Sequence, residues 1–175
     1  MLRSMSTYRR VLPCLAFAIA CADSDADVVR GASIVAFDTA TVHLSAGRDT
    51  LTIRAEVARS PQQRTMGLME RQSLSDSAGM LFIYEEDQPP DAGFWMYRTR
   101  IPLDIAFADS VGRIVAVRRM EPCEANLAAG CPTYTPDHAY RVAIEVNAGL
   151  LARRGVGVGS RLWTAALPAS LPARR

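Results

Sequence analysis

Apolar and polar residues alternate in several short segments of the chain, which is the pattern of β-strands with one buried face. Leu51 to Val57 and Tyr140 to Val146 both show this alternation. In the second segment the polar positions include Glu145, which we therefore expect on the solvated face of its strand. Met80 to Tyr84 is a continuous apolar run, which is typical of a buried strand. These segments predict a protein built mainly of strands.

Helix and turn signals are few and short. Ser60 followed by Pro61 predicts the start of a helix, which has to be short because a glycine follows within two turns. Asp109 to Gly112 predicts the turn of a β-hairpin, and Ala148 to Arg154 predicts one or two helical turns capped by Gly155. Because no βαβ rhythm is visible, the expected fold is mainly β: a single compact antiparallel β-barrel or sandwich with one or two short helices.

The N-terminal segment has the pattern of a bacterial secretory signal. Residues 1–20 combine a basic start with a short apolar run and a small residue directly before Cys21. This order resembles a lipoprotein signal, so we expect lipidation of Cys21, while ordinary cleavage nearby would use the same small residues. We expect residues 21–32 to form a flexible tether, residues 33–167 a β domain, and residues 168–175 a disordered tail. The protein would then lie on the periplasmic face of a bacterial membrane, held by the lipid anchor.

The basic character of the chain belongs to this signal. The whole chain has a formal net charge of +2, and residues 1–20 carry three of its 20 basic residues and none of its 18 acidic ones. The remaining 17 arginines against 18 acidic residues leave a net charge of −1. Because no arginine cluster follows the signal, we expect no nucleic-acid partner.

Cys123 and Cys131 are the two cysteines outside the signal and its cleavage site. In an exported protein such a pair is typical of a disulfide, which would here close a short loop. Two cysteines cannot complete a structural zinc site, and only His43 and His138 are available to help. The methionines lie in apolar runs where core packing explains them better than copper binding does. We therefore expect a disulfide, no metal and no cofactor.

Four motifs in the body of the chain concentrate Gly, Met, Trp, Arg and Asp. They stand at Gly67 to Arg71, Gly79 to Phe82, Phe94 to Asp104, and Glu145 to Gly149. In this order they resemble the DUF192 family, a bacterial and archaeal domain of unknown function. The resemblance implies a compact β-rich domain and no established reaction. One departure is Arg98, where many members of the family carry Asn.

The motifs supply the candidate site residues. Trp95 and Met96 are adjacent, so on a strand they point to opposite faces, one into the core and the other free to line a groove. Arg71 and Asp104 are charges beside apolar sequence, so we expect Arg71 to contact Asp104 or the Trp95 region, either as a structural ion pair or toward an anionic ligand. The buried residues of these motifs should include Met80 and Met96.

The sequence favours a binding module over an enzyme, because it lacks the common metalloprotease, serine hydrolase and phosphate-loop signatures. We expect a small ligand or an envelope protein to bind an aromatic and Met-lined cleft bordered by Arg71, Trp95, Thr99 and Asp104. One alternative is an envelope hydrolase that acts on a sugar or peptide, with Asp104 and Glu145 as acid and base. A third possibility is a structural module that docks a partner.

Overall fold

The structure, a computed structural model, describes residues 35–167. The predicted signal peptide (1–20), lipidation site (Cys21), tether (21–32) and tail (168–175) lie outside the described residues. Within the described range the protein is mainly β, as predicted. Its strands are β1 (Asp38–Ala46), β2 (Asp49–Ala58), β3 (Ala78–Gln88), β4 (Phe94–Trp95), β5 (Leu103–Ala108), β6 (Ile114–Met120), β7 (Thr133–Tyr134), β8 (Tyr140–Asn147) and β9 (Leu162–Trp163).

Seven strands form one curled sheet, a half-barrel, in the order β6-β5-β8-β3-β2-β1-β9. The strands β4 and β7 pair with each other as a separate small sheet. All neighbouring pairs in the large sheet are antiparallel except β2 and β3, which are parallel. A parallel pair needs a crossover connection, and residues 59–77 provide it. The predicted barrel or sandwich therefore contains one β-helix-β crossover that the sequence pattern did not indicate.

The crossover contains the short helix α1 (Pro61–Met66). Its N-cap Ser60 accepts a hydrogen bond from the Gln63 backbone, and the Gln63 side chain accepts one from the Ser60 backbone. This reciprocal capping, with proline at the first helical position, satisfies backbone donors that a helix start leaves unpaired. Gly67 ends the helix with φ of 49°, in the left-handed region that favours glycine.

The second helix, α2 (Leu150–Arg153), follows β8 directly. As predicted, Gly155 beyond its end has a positive φ, 69°. The turn of the β5–β6 hairpin also lies where the sequence placed it, with Asp109 accepting backbone hydrogen bonds from Val111 and Arg113.

Two hydrophobic clusters cover the two faces of the sheet. One includes Leu81 and Ile144, and the other includes Met80 and Met96, which are 0% and 1% exposed, as predicted. The strand β8 lies between β3 and β5, and the two clusters cover its two faces, so five consecutive residues from Val142 to Val146 are buried. The strand therefore has no solvated face, contrary to the expectation from its alternating sequence.

Candidate functional site

The loop after α1 and the loop after β4 meet beside the hydrophobic cluster that contains Met80 and Met96. The loop after α1 is joined to the loop after β4 by a hydrogen bond from the Glu70 backbone N–H to the Arg98 carbonyl, 2.8 Å long. The Glu70 carboxylate also pairs with Arg98 at 2.6 Å and with Arg100 at 2.5 Å. Hydrogen bonds from Arg100 and then Arg98 lower the pKa of Glu70. The structure thus brings the first and third motifs together through Glu70.

The backbone is left-handed at both Glu70 and Arg98, the two residues that join the loops. The φ angles of Glu70 and Arg98 are 62° and 56°, values that non-glycine residues rarely adopt. Asparagine adopts this geometry more readily than most residues, so an Asn would fit the backbone position that Arg98 occupies. Arg98 keeps the geometry, and its guanidinium takes part in the ion pair with Glu70.

Between the two loops and the sheet lies a cavity of about 260 Å³. Aromatic residues and methionines are the most numerous lining residues, and hydroxyl groups, one arginine and one carboxyl group contribute polar surface. The residues with side chains of these kinds are Arg64, Thr65, Met66, Met69, Phe82, Tyr84, Phe94, Trp95, Tyr97, Thr99 and Glu145.

The carboxyl group in this cavity belongs to Glu145, which was predicted to be solvated and is instead only 4% exposed. Its side chain forms no hydrogen bond or ion pair with any residue of the described range. Its oxygens therefore face the cavity and not the closed core, since every fully buried side-chain oxygen or nitrogen of the described residues has a hydrogen-bond partner. Burial alone raises its pKa from 4.5 to about 8. A buried charged group ordinarily has a partner, so a buried carboxyl group without one marks this cavity as the candidate site.

The register of the sheet directs Glu145 into the cavity. Glu145 lies opposite Met80 on β3 and Ile105 on β5, so these three side chains share one face of the sheet. Gly79 holds β3 close to this point, since a Cβ there would come within 2.5 Å of the Glu145 carbonyl oxygen. A larger residue at position 79 would push apart the strands that position the carboxyl group.

Asp104 lies on the other face of the sheet and does not line the cavity. It is opposite Val146, the residue after Glu145, so the two carboxyl groups point away from each other. The Asp104 carboxylate accepts the Gly149 backbone N–H at 2.7 Å and so caps the start of α2. Burial raises its pKa, and hydrogen bonds from Gly149 and Leu151 oppose that rise. The expected acid–base pair of Asp104 and Glu145 is therefore not formed.

Arg71 also lies outside the cavity. Its guanidinium pairs with Glu56 at 2.5 Å and not with Asp104 or the Trp95 region, contrary to the sequence prediction. Both side chains of this pair are partly exposed, at 37% and 28%. The sequence could not indicate which of several carboxylates Arg71 would contact.

Trp95 and Thr99 are the two predicted border residues that do line the cavity. Trp95 is 45% exposed while its neighbour Met96 is buried, which confirms that the two side chains face opposite ways. Thr99 is 6% exposed, and its hydroxyl group forms no hydrogen bond with any described residue. Like Glu145, Thr99 therefore presents a polar group without a protein partner.

A disulfide between Cys123 and Cys131 supports one wall of the cavity. The structure places their Cα atoms 5.8 Å apart, in bridging range, as the sequence predicted. The loop that they close contacts the wall residue Tyr97: Cys123 forms a backbone bridge with it, and the Asn126 carbonyl accepts its hydroxyl hydrogen at 3.3 Å.

A family model matches residues 42–164, which include all of these cavity residues. The chain belongs to the DUF192 family. The family description, uncharacterized ACR, gives no activity. None of the curated proteins matches the sequence significantly.

Two solved structures resemble this DUF192 chain. One is a suggested transcription regulator from Sinorhizobium meliloti 1021, with 32% identity and a TM-score of 0.67, matched over 76% of this chain and 98% of its own. The other is a protein of unknown function from Novosphingobium aromaticivorans DSM 12444, with 26% identity and a TM-score of 0.64, matched over 75% of this chain and 89% of its own. Both support the fold, and neither description names a ligand.

The described part of the DUF192 chain offers no group of three or more His, Cys, Asp or Glu side chains placed to hold a metal ion. No helix within residues 35–167 has the length and apolar character needed to cross a membrane.

Sequence reasoning missed the residues that close the DUF192 cavity from the side of α1, chiefly Arg64, Met66 and Tyr84. Their local pattern is that of an ordinary amphipathic helix and strand. The sequence named Glu145 only as an acid–base candidate together with Asp104, although it is a single carboxylate between Ile144 and Val146 in an apolar stretch of strand. A charged side chain in an apolar strand lies either on an edge strand or in a functional site. Only the order of the strands in the sheet distinguishes these two cases.

Proposed function

We propose that this DUF192 protein is a binding module that takes a small organic ligand into the cavity between α1, the two motif loops and β8. The observation that carries the proposal is the buried carboxyl group of Glu145, which has no protein partner and opens onto walls of aromatic rings and methionines. Apolar walls with a few convergent polar groups are the usual composition of a small-molecule site.

The geometry of the walls supports a preformed site. Phe94 on the wall packs edge-to-face against Phe82 at 4.8 Å and against Phe107 at 5.6 Å between ring centroids. Phe107 in turn packs against Tyr140 at 5.0 Å. A wall anchored by such contacts loses little conformational entropy when a ligand binds.

We further propose, from the N-terminal sequence, that the module is exported and lipid-anchored through Cys21 on the periplasmic face of a bacterial membrane. A disulfide is consistent with an oxidising compartment. In this arrangement the ligand would be a molecule of the envelope, or part of an envelope protein.

A hydrolase is the second candidate, and one observation favours it. A carboxyl group with a pKa near 8 is protonated at neutral pH, which is the state of a general acid. The two-carboxylate mechanism expected from the sequence has no support, because Asp104 caps α2 on the opposite face of the sheet. Among the residues that line the cavity, Glu145 is the one carboxyl group.

The transcriptional role suggested for the Sinorhizobium neighbour is less well supported. The described helices, α1 and α2, span six and four residues, which is too short for a helix that reads the major groove.

The proposal is tested by ligand-observed NMR with a library of small organic fragments. Thr65 is exposed at the cavity, so Thr65→Phe should obstruct it with little effect on the core, while Thr50→Phe adds the same ring to an exposed strand position elsewhere. We expect fragment binding to be lost in Thr65→Phe and kept in Thr50→Phe. Fragments that bind both variants equally would refute the cavity as the site, and fragments that come back chemically altered would favour the hydrolase.

A further inference from the structure

Glu145 differs from the other charged side chains in its row of the sheet. Across the strands, Glu56 on β2 lies opposite Met80, Met80 lies opposite Glu145, and Glu145 lies opposite Ile105. Glu56 at one end of this row is neutralised by Arg71. The row continues to Arg118 on β6, which pairs with Asp137 at 2.6 Å. Only the central carboxyl group of this row has no counter-charge.

Arg64, the arginine that lines the cavity, does not supply a counter-charge to Glu145. The Arg64 guanidinium lies over the Tyr84 ring, 4.6 Å from its centroid, and donates to the backbone carbonyls of Arg59 and Ile83. These contacts fix the position of its guanidinium group. Burial is the one cause of the raised pKa of Glu145, so neither Arg64 nor any other arginine offsets the desolvation of that carboxyl group.

The aromatic walls complement a positive charge. An aromatic ring presents a negative face that attracts cations, and groups of such rings are used to recognise quaternary ammonium groups. Arg64 over Tyr84 shows that a cation already lies on one face at this cavity. Phe94, Trp95 and Tyr97 are further aromatic residues that line the cavity.

We propose that the ligand of this cavity is a small organic cation, an alkylated amine or quaternary ammonium group, whose charge pairs with Glu145 while its alkyl groups contact the aromatic and methionine walls. This inference rests on the proposed binding function and names the chemical class of its ligand. Such a cation provides the missing counter-charge and needs no further hydrogen-bond donor from the protein. An anion would place a second negative charge beside Glu145 whenever this carboxyl group is ionised.

The cation binds the ionised form of Glu145, so binding displaces a proton. The other ionisable side chains that face the cavity are Arg64, Tyr84 and Tyr97, with Tyr140 packed behind Tyr84. Burial raises the pKa of both Tyr84 and Tyr140, which keeps these phenols neutral near pH 7. Below the pKa of Glu145 the affinity for a permanent cation should therefore rise about 10-fold per pH unit, and it should level off above about pH 8.

The test compares choline with its neutral carbon isostere, 3,3-dimethylbutan-1-ol, by isothermal titration calorimetry on the full-length chain. The two probes have the same shape and differ in charge. At pH 8 we expect wild type to bind choline about 10-fold or more tightly than the isostere, with proton release on binding. Glu145→Gln keeps the shape of the side chain and should weaken this preference strongly, leaving only the contribution of the aromatic rings, whereas the exposed control Glu86→Gln should keep the full preference.

Equal affinities of wild type for the two probes would overturn the proposal, and so would a preference for choline that is undiminished in Glu145→Gln. Absence of choline binding would also overturn it, because a quaternary ammonium of this size represents the proposed class. The fragment experiment separates this failure from that of the proposed function. If neutral fragments bind in the cavity and choline does not, the site stands and its cationic ligand is wrong.

Discussion

The substitution Glu145→Gln isolates the free-energy cost of burying one carboxyl group. Glu145 is 4% exposed, and burial raises its pKa from 4.5 to about 8. The folded state thus holds the proton more tightly than the unfolded state does. Stability from this group is fully present below about pH 4.5 and is lost as the pH rises to about 8, because the unfolded chain ionises first.

The size of the effect follows from the shift. Each pKa unit corresponds to about 1.4 kcal/mol, so a rise from 4.5 to about 8 lowers the free energy of unfolding by about 5 kcal/mol once both states are ionised. At pH 7 the folded protein keeps its proton, and the loss is about 3 kcal/mol. Glutamine has nearly the same shape and no charge, so the Glu145→Gln variant should escape this loss.

The assay is urea denaturation of wild type and Glu145→Gln at about pH 4, 7 and 9. The unfolding free energy of the variant, minus that of wild type, should increase by about 3 kcal/mol between pH 4 and 7 and by about 5 kcal/mol between pH 4 and 9. Other ionisable groups are common to both proteins and cancel in the difference. The exposed control Glu86→Gln should follow wild type at every pH. A Glu145→Gln difference that stays constant within about 0.5 kcal/mol would refute the burial of an unpartnered carboxyl group.

Three further outcomes are expected. Met80→Ala empties a fully buried position and should cost about 2–5 kcal/mol in a denaturant melt; a cost under about 0.5 kcal/mol would contradict its place in the core. Arg71→Ala should lower the free energy of unfolding by no more than about 1 kcal/mol, because the ion pair with Glu56 is partly exposed. A coupling energy above about 2 kcal/mol in a double-mutant cycle with Glu56→Ala would contradict this small contribution. Cys21→Ala should abolish metabolic labelling with a fatty-acid analogue, and equal labelling of both proteins would exclude lipidation there.

The features that the sequence predicted correctly depend on local interactions. The alternation of Leu51 to Val57 matches the burial of β2, and the Ser60-Pro61 pair starts α1 with its capping bonds. The left-handed φ of Gly155 follows from the few residues around it. The opposite directions of Trp95 and Met96 are also local, because neighbouring residues on a strand alternate between its faces.

The features that the sequence did not predict depend on contacts between distant segments. Glu145 has the alternation of a half-exposed strand, but β8 is central in the sheet, and its second face is covered by the motif loops. The parallel pairing of β2 and β3 has the same origin, since the strand order is set by the whole sheet. Arg71 could have met any of several carboxylates, and only the crossover through α1 brings it to Glu56.

The loop closed by Cys123 and Cys131 has a consequence for how the protein should be produced. Cys123 and Asn126 both contact Tyr97, so the covalent link restrains a wall of the cavity from behind. Protein expressed in a reducing cytoplasm would carry free thiols at these positions and a loosened wall, even with its sheet correctly folded. Ligand screens should therefore use material oxidised during secretion or refolding, since batches that give identical circular dichroism spectra could still differ in ligand affinity.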